Sequence, residues 1–158
     1  MPLTEAGFKD ADGHPHIPSL LMTGPTIQVM VMPLPLQTET DALANNPFLC
    51  HALVDTGATE SCIDIDLAVS LGLPQIDVIT ISGAGGSKLH PVYMCAIAIP
   101  ALSLTQYGKF AGVHLQAGGQ AHKVLLGRSF LGGVIMIYDG IRGQVTLAAP
   151  VLPSAPAS

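Results

Sequence analysis

An apolar run, His51-Ala-Leu-Val54, leads straight into Asp55-Thr56-Gly57-Ala58, and this junction is where the chain has the residue types for chemistry. A strand that ends in Asp-Thr-Gly holds a carboxylate at the tip of a rigid element. Gly57 permits close approach or a positive φ in the turn, and the Thr56 hydroxyl can bond backbone and lock the loop. A plainer reading is an Asx-type turn, in which Asp55 only caps its own backbone. Acid–base work of this kind usually needs two carboxylates, and the chain has a single Asp-Thr-Gly. Asp64, Asp66, Asp77 and Asp139 are the local alternatives for a partner. Asp64 and Asp66 fit better as turn and helix-cap residues, and Asp139 as a hairpin-turn residue.

The elements that would position this turn follow from alternation and from the breakers. Thr26–Met32 and Phe48–Val54 read as strands, separated by Pro33, Pro35 and a polar loop over 37–47. Ser61–Ile65 has strand character. Asp66 then caps a short helix through Leu71, stopped by Gly72 and Pro74. Asp77–Ile81 and Leu89–Ile99 form a hairpin whose tip, Ser82-Gly83-Ala84-Gly85-Gly86-Ser87, is dense in glycine. Leu102–Tyr107 and Phe110–Gln116 are weaker strand candidates, and His122–Leu126 is a firm one. A turn of helix fits Ser129–Leu131. Val134–Tyr138 and Gln144–Ala148 make a last hairpin around Asp139–Gly143. His51-Ala-Leu-Val-Asp55 and His122-Lys-Val-Leu-Leu126 echo one another as strands that run into glycine-containing turns. Three regions emerge: an N-terminal arm or flexible segment (1–24), a domain (25–149) and a Pro/Ala tail (150–158).

Composition narrows the function. The 158 residues suit one domain with a real core. They are 49% hydrophobic and 11% charged, against roughly 25% charged in ordinary soluble domains. General disorder is excluded. A helical bundle would need more charge for its outer faces, and 17 Gly with 13 Pro favour short strands and tight turns. The apolar excess hints at a buried subunit interface. With six Lys plus Arg and a net charge of −5 there is no basic patch for nucleic acid. Cys50, Cys62 and Cys95 lack a disulfide framework and read as free thiols in a reducing compartment. The opening MPLTEAGFKD does not have the pattern of a signal peptide, and no apolar run is long enough for a membrane span. A cytoplasmic location is expected.

The order of motifs carries a resemblance. Apolar-apolar-Asp55-Thr56-Gly57-Ala58, the glycine-rich tip at 83–86 and Leu125-Leu126-Gly127-Arg128 resemble the retropepsin-like aspartic proteases over about residues 26–148. The resemblance implies an all-β fold, a closed and mostly antiparallel barrel with one short helix and one lobe per chain. It also implies a homodimer in which Asp55 of a second copy supplies the other carboxylate. Asp55 would be catalytic, as an aspartic endopeptidase that uses a water nucleophile and no cofactor. Thr56 and Gly57 would support the site. Gly57, Ala58 and the flap residues Ser82, Gly83, Ala84, Gly85 and Gly86 would bind a peptide or protein substrate. Gly127 and Arg128 would be structural. In retroviral relatives that Arg pairs with an acid just after DTGA. Thr59 stands there here, with Glu60 one further on, so Glu60 or backbone carbonyls are the expected partners of Arg128.

The alternative is a non-catalytic barrel of the same fold, acting as a peptide-binding or assembly module. Other constellations are weaker. His14-Pro15-His16 reads as part of a solvated tail, and His51, His90, His114 and His122 lack metal-ligand spacing, so no metal is expected. Cys62 near His51 has nothing to lower its pKa. The glycines at 83–86 lack the GK[ST] of a phosphate loop.

Overall fold

The structure is a computed structural model and describes residues 1–33 and 47–150. The polar loop over 37–47 falls largely outside the described residues, as does the tail beyond residue 150.

Ten strands carry the fold: β1 (Leu3–Glu5), β2 (Thr26–Met32), β3 (Phe48–Val54), β4 (Cys62–Asp64), β5 (Gln75–Gly83), β6 (Gly86–Ile99), β7 (Leu104–Val113), β8 (Val124–Leu126), β9 (Ile135–Asp139) and β10 (Gln144–Ala148). Among the described residues three short helices punctuate them, α1 (Ile17–Thr23), α2 (Ile65–Ser70) and α3 (Arg128–Leu131), with a 3-10 turn at Pro100–Leu102. The main sheet runs β2-β3-β8-β4-β7-β6-β5. A further β2–β6 pairing, Met30 opposite Ala98 and Met32 opposite Ala96, closes it into a barrel. Closure pairs the edge that β2 would otherwise present, while β5 hangs on β6 alone among the described strands, as an outer strand. Among the described strands only β3–β8 and β4–β7 are parallel. The fold is thus all-β, closed and mostly antiparallel, as expected.

Alternation explains the strands. Ile27, Val29 and Val31 of β2 point inward and are buried, while Gln28 between them is exposed. They meet Ile63, Ile97, Val124 and Leu126 in one core. The two weak strands expected over 102–116 are one strand, β7, whose register with β6 runs unbroken from Ile99–Leu104 to Val92–Ala111. Gly108 pairs with Cys95 within it. The helix after the DTGA turn is α2, and its cap is Asp64 rather than Asp66: the Asp64 carboxylate accepts from Leu67 N at 3.4 Å. Asp64 is 1% exposed and also accepts from Gln116 N at 3.2 Å, which ties α2 to the far end of β7.

Residues 1–24 differ from the expected arm or flexible segment. β1 pairs with β10, and β10 with β9, in a second sheet of three strands. Ala6 and Leu20 are buried in the main core. Ala6 N donates to Val145 O, and Thr26 N donates to Ala6 O, both at 2.9 Å. His16 caps α1, its Nδ1 accepting from Ser19 N and lying 2.7 Å from Ser19 Oγ. The histidine that read as part of a tail therefore starts a helix. Because Leu20 shares the barrel core, Leu20→Ala should remove about 2–5 kcal/mol of stability. Urea unfolding measures it; a loss under about 0.5 kcal/mol, the range of ordinary surface changes, would mean that this segment folds apart from the barrel.

Candidate active site

The strand β3 lies between β2 and β8, so its C-terminal end is held on both sides. Val54 N donates to Pro25 O at 2.9 Å, and Asp55 N donates to Leu126 O at 3.0 Å. The chain then turns. Gly57 N donates to Asp55 Oδ1 at 2.9 Å, and Ala58 N donates to Asp55 O at 3.3 Å. Asp55 does cap its own turn, and the cap fixes one carboxylate oxygen while the residue stays partly open to solvent. A Cβ on residue 57 would sit 3.1 Å from that oxygen, so glycine leaves the carboxylate uncrowded. Thr56 and Gly57 are exposed and Ala58 is half-buried.

The loop is braced from β8 and α3. Arg128 N donates to Ala58 O at 2.9 Å and Ser129 N to Thr59 O at 3.0 Å. The Arg128 guanidinium reaches back over the loop, donating to Thr56 O at 2.8 Å and to Thr59 Oγ1 at 2.7 Å. Of the two partners expected for Arg128, the carbonyl is present. No ion pair joins Arg128 to Glu60 among the described residues. Gly127 permits the close approach: a Cβ there would lie 2.5 Å from Glu60 O and 3.0 Å from Ala58 O.

Beneath the loop is a hydroxyl pair that the sequence did not signal. Ser61 is 2% exposed. Its Oγ accepts from Gly127 N at 3.0 Å and lies 3.0 Å from Ser129 Oγ, which in turn accepts from Ser61 N at 3.1 Å. Every one of these contacts links the first turn to the second. The one available hint was a pair of small hydroxyl residues, one in each of the two echoing turns.

The residues expected to form a flap, Ser82–Gly86, stand apart from this loop within one chain. Ser82 pairs with Ser87 and Gly83 with Gly86 at the hairpin tip, and the Ser82 and Ser87 hydroxyls are 2.7 Å apart. Gly86 adopts φ +97°, which the tight tip requires. All of Ser82–Gly86 is exposed. No hydrogen bond joins them to Asp55–Ala58 among the described residues.

The other candidates do not converge here. Burial lifts the Cys62 thiol to about 11, and the nearby Glu60 and Asp55 charges add to the effect. Burial likewise lifts Cys50 to about 11 and Cys95 to about 12. All three are free thiols, and at neutral pH they are protonated and poor nucleophiles. Asp139 belongs to its hairpin: it accepts from Arg142 N, and this bond with that from the Arg142 guanidinium at 2.7 Å holds its carboxyl below the usual range. Asp10, Asp12 and His14 bring their ligand atoms within 4.8 Å of one another, all exposed. Asp10 Oδ1 is already engaged there by Asp12 N and His14 N.

A family model described as aspartyl protease matches residues 43–130, more than half of the chain, and spans both braced turns. The chain belongs to the aspartyl protease family. Among solved structures, a retropepsin-like aspartic protease from Rickettsia conorii is similar at TM-score 0.52 and 17% identity, over 92% of this chain and 89% of that one. That likeness shows a retropepsin-like fold. The simian foamy virus protease matches at TM-score 0.45 and 15% identity, over 68% of this chain and 91% of that one. No curated protein sequence matches significantly. No helix among the described residues is long and apolar enough to cross a membrane.

The brace can be tested at its tightest point. Gly127→Ala forces a methyl against backbone and should cost about 1–3 kcal/mol, as overpacking does. Gly133→Ala should cost little, because a methyl there would meet no atom within 4 Å. Thermal unfolding of the two variants side by side checks this; equal melting temperatures would contradict it.

Proposed function

We propose that this member of the aspartyl protease family is an endopeptidase that works as a homodimer, with Asp55 of each chain forming the catalytic dyad. The observation that carries the reading is Asp55 itself. It is a partly open carboxylate fixed by the Gly57 N–H at the end of a strand gripped on both sides, in a chain with no second Asp-Thr-Gly.

Two such carboxylates about 3 Å apart cannot both ionise readily and share one proton. The pair titrates as a unit. The ionised member takes a proton from a water between them, that water attacks the peptide carbonyl, and the protonated member donates to the developing oxyanion. Thr56 would bond across the two-fold axis and hold the acids coplanar. The Gly57 carbonyl and Ala58 would receive an extended peptide. The hairpin tip Ser82–Gly86 would close over it, adding backbone hydrogen bonds and excluding water.

Several exposed surfaces favour a second copy. Thr56 and Gly57 are open in the single chain. β9 is the outer strand of its sheet, since β10 lies between β1 and β9. It carries Ile135, Ile137 and Tyr138 at 47%, 61% and 48% exposure, with no charge before Asp139. An apolar, unguarded edge of this kind is self-complementary about a two-fold axis.

Cleavage of an unfolded protein substrate from about pH 4 to 7, the range set by a shared-proton dyad, should be seen for the wild type. Asp55→Asn should lower it by at least about 100-fold; equal activity in the two proteins would sink the assignment. Mixing chains tests the dyad separately. At fixed total protein, an equal mixture that has exchanged partners should keep about one quarter of the activity, because only dimers with two wild-type chains work. Retention of about one half would show that each chain acts alone.

A further inference from the structure

His122 is 3% exposed, and its ring bridges elements that are far apart in sequence. Its Nε2 lies 2.8 Å from Thr26 Oγ1. The Thr26 hydroxyl has one proton, which it donates to Gly24 O at 3.0 Å. Nε2 is therefore the donor in the first bond, and Nδ1 of the neutral ring carries the lone pair. That Nδ1 is buried and has no hydrogen-bond partner among the described residues. A lone pair left unpaired has a modest cost, but a proton added there would create a buried charged N–H with no acceptor.

The surroundings reinforce this asymmetry. His122 lines a cleft of about 440 Å³ between the barrel and the N-terminal segment, together with Glu5, Phe8, Lys9, Thr26, Gln28 and His51. Four titratable groups face it or flank it. Glu5 and Lys9, on the N-terminal segment, pair with each other at 2.8 Å and largely cancel. His51 on β3 adds repulsion when charged. Lys123, next along the chain, is turned to Gln116 Oε1 at 2.9 Å. No free carboxylate among the described groups of this cleft welcomes an imidazolium.

We propose that His122 is an acid-sensitive latch: its neutral ring pins Thr26 at the start of β2, where Thr26 holds Gly24 O and Ala6 O of the N-terminal segment, and protonation loosens that junction. Thr26 is the point where the segment joins β2, and its N–H also holds Ala6 O. The chain ahead of His122, residues 116–121, is exposed throughout, so the ring can swing out into water when it gains a proton. Burial, and after it His51, hold the His122 pKa below the ordinary imidazole value. The sign follows from that depression. The latch contributes fully above the unfolded-state value of about 6.5, and its contribution is lost as pH falls towards the folded-state value. Loosening would therefore come on the acid side of neutrality, with β1–β10 pairing and the buried Ala6 and Leu20 left to retain the segment.

Amide hydrogen-exchange protection from pH 7.5 to 4.5 tests this, with the His122 ring followed by NMR in the same samples. Protection at Ala6 and Thr26 should fall as the ring titrates, by up to about tenfold per pH unit for one proton. Ile97 and Phe110, in β6 and β7, should not change. His122→Gln keeps a donor for Thr26 but does not titrate, and its Ala6 and Thr26 protection should be flat. His51→Gln removes a repulsive neighbour and should move the wild-type transition to higher pH. The proposal is overturned if wild-type protection at Ala6 and Thr26 is constant over this range, or if the same fall persists in His122→Gln. Should His122→Gln fail to fold, the His51→Gln arm decides, and an unmoved midpoint there counts against the latch.

Discussion

The site depends on one register, the parallel pairing of β3 with β8. Ala52, Leu53 and Val54 lie opposite Val124, Leu125 and Leu126. Parallel neighbours need a long crossover, and here the crossover is most of the barrel, from the DTGA turn through β7. The pairing sets two turns side by side at one end, Asp55–Thr59 after β3 and Gly127–Ser129 after β8. Leu126 O then holds Asp55 N, and the two turns exchange backbone and hydroxyl bonds in both directions. A slip of one residue would turn the buried Val54 and Leu126 outward and carry Asp55 out of the grip. Gly127 is the steric condition for the register, since any side chain there meets the Glu60 carbonyl.

The absence of an acid at position 59 shows how such a brace tolerates change. Arg128 makes its bonds to a carbonyl and a hydroxyl instead. An exposed ion pair contributes at most about 1 kcal/mol, so a neutral acceptor in good geometry gives up little. What matters is that the planar guanidinium reaches two points of one loop at once. Thr56 O and Thr59 Oγ1 flank Gly57 and Ala58, so the fork fixes the span between them. Ser61 and Ser129 do the same from below without any charge.

Legibility followed the strength of local signals. β2, β3 and β10 matched their expected bounds because apolar alternation ends there against proline, glycine or the DTGA turn. The carboxylate turn, the hairpin with its glycine tip and the Gly-Arg turn were equally plain, because glycine and proline punctuate them. Elements fixed by distant partners were not. β1 is three residues whose only warrant is β10, some 140 positions away. α1 has little charge and few turns of its own, and Leu20 is its single buried anchor. The two pieces of β7 read as separate because Gly108 and Lys109 interrupt the alternation, whereas the long β6 partner holds them in line. Asp64 took the cap expected of Asp66 because β4 ends at Asp64, and only there can the carboxylate meet both Leu67 N and Gln116 N. Ser61 gave no apolar signal although it is as buried as its neighbours in the core.

The unusual composition has a structural address. A chain this poor in charge has few ways to make its surface polar, and it exposes large apolar groups on many elements, among them Leu3 on β1, Leu49 on β3, Val69 on α2, Tyr107 on β7 and Ile141 in the last hairpin turn. Others lie on β9, on the outer parts of the β5–β6 hairpin at Ile76, Val78 and Leu89, and on α1 at Leu21 and Met22. Scattered apolar side chains on a surface need no explanation. An edge strand that is uncharged from Ile135 to Tyr138 and largely exposed there is different, because such an edge is a template for pairing with another chain. The β2–β6 pairing closes the barrel, while β5 stays an outer strand of the main sheet and β1 and β9 are the outer strands of the three-stranded sheet. Closure within the chain thus makes a rigid frame for Asp55, while β9 stays an apolar outer strand of the smaller sheet.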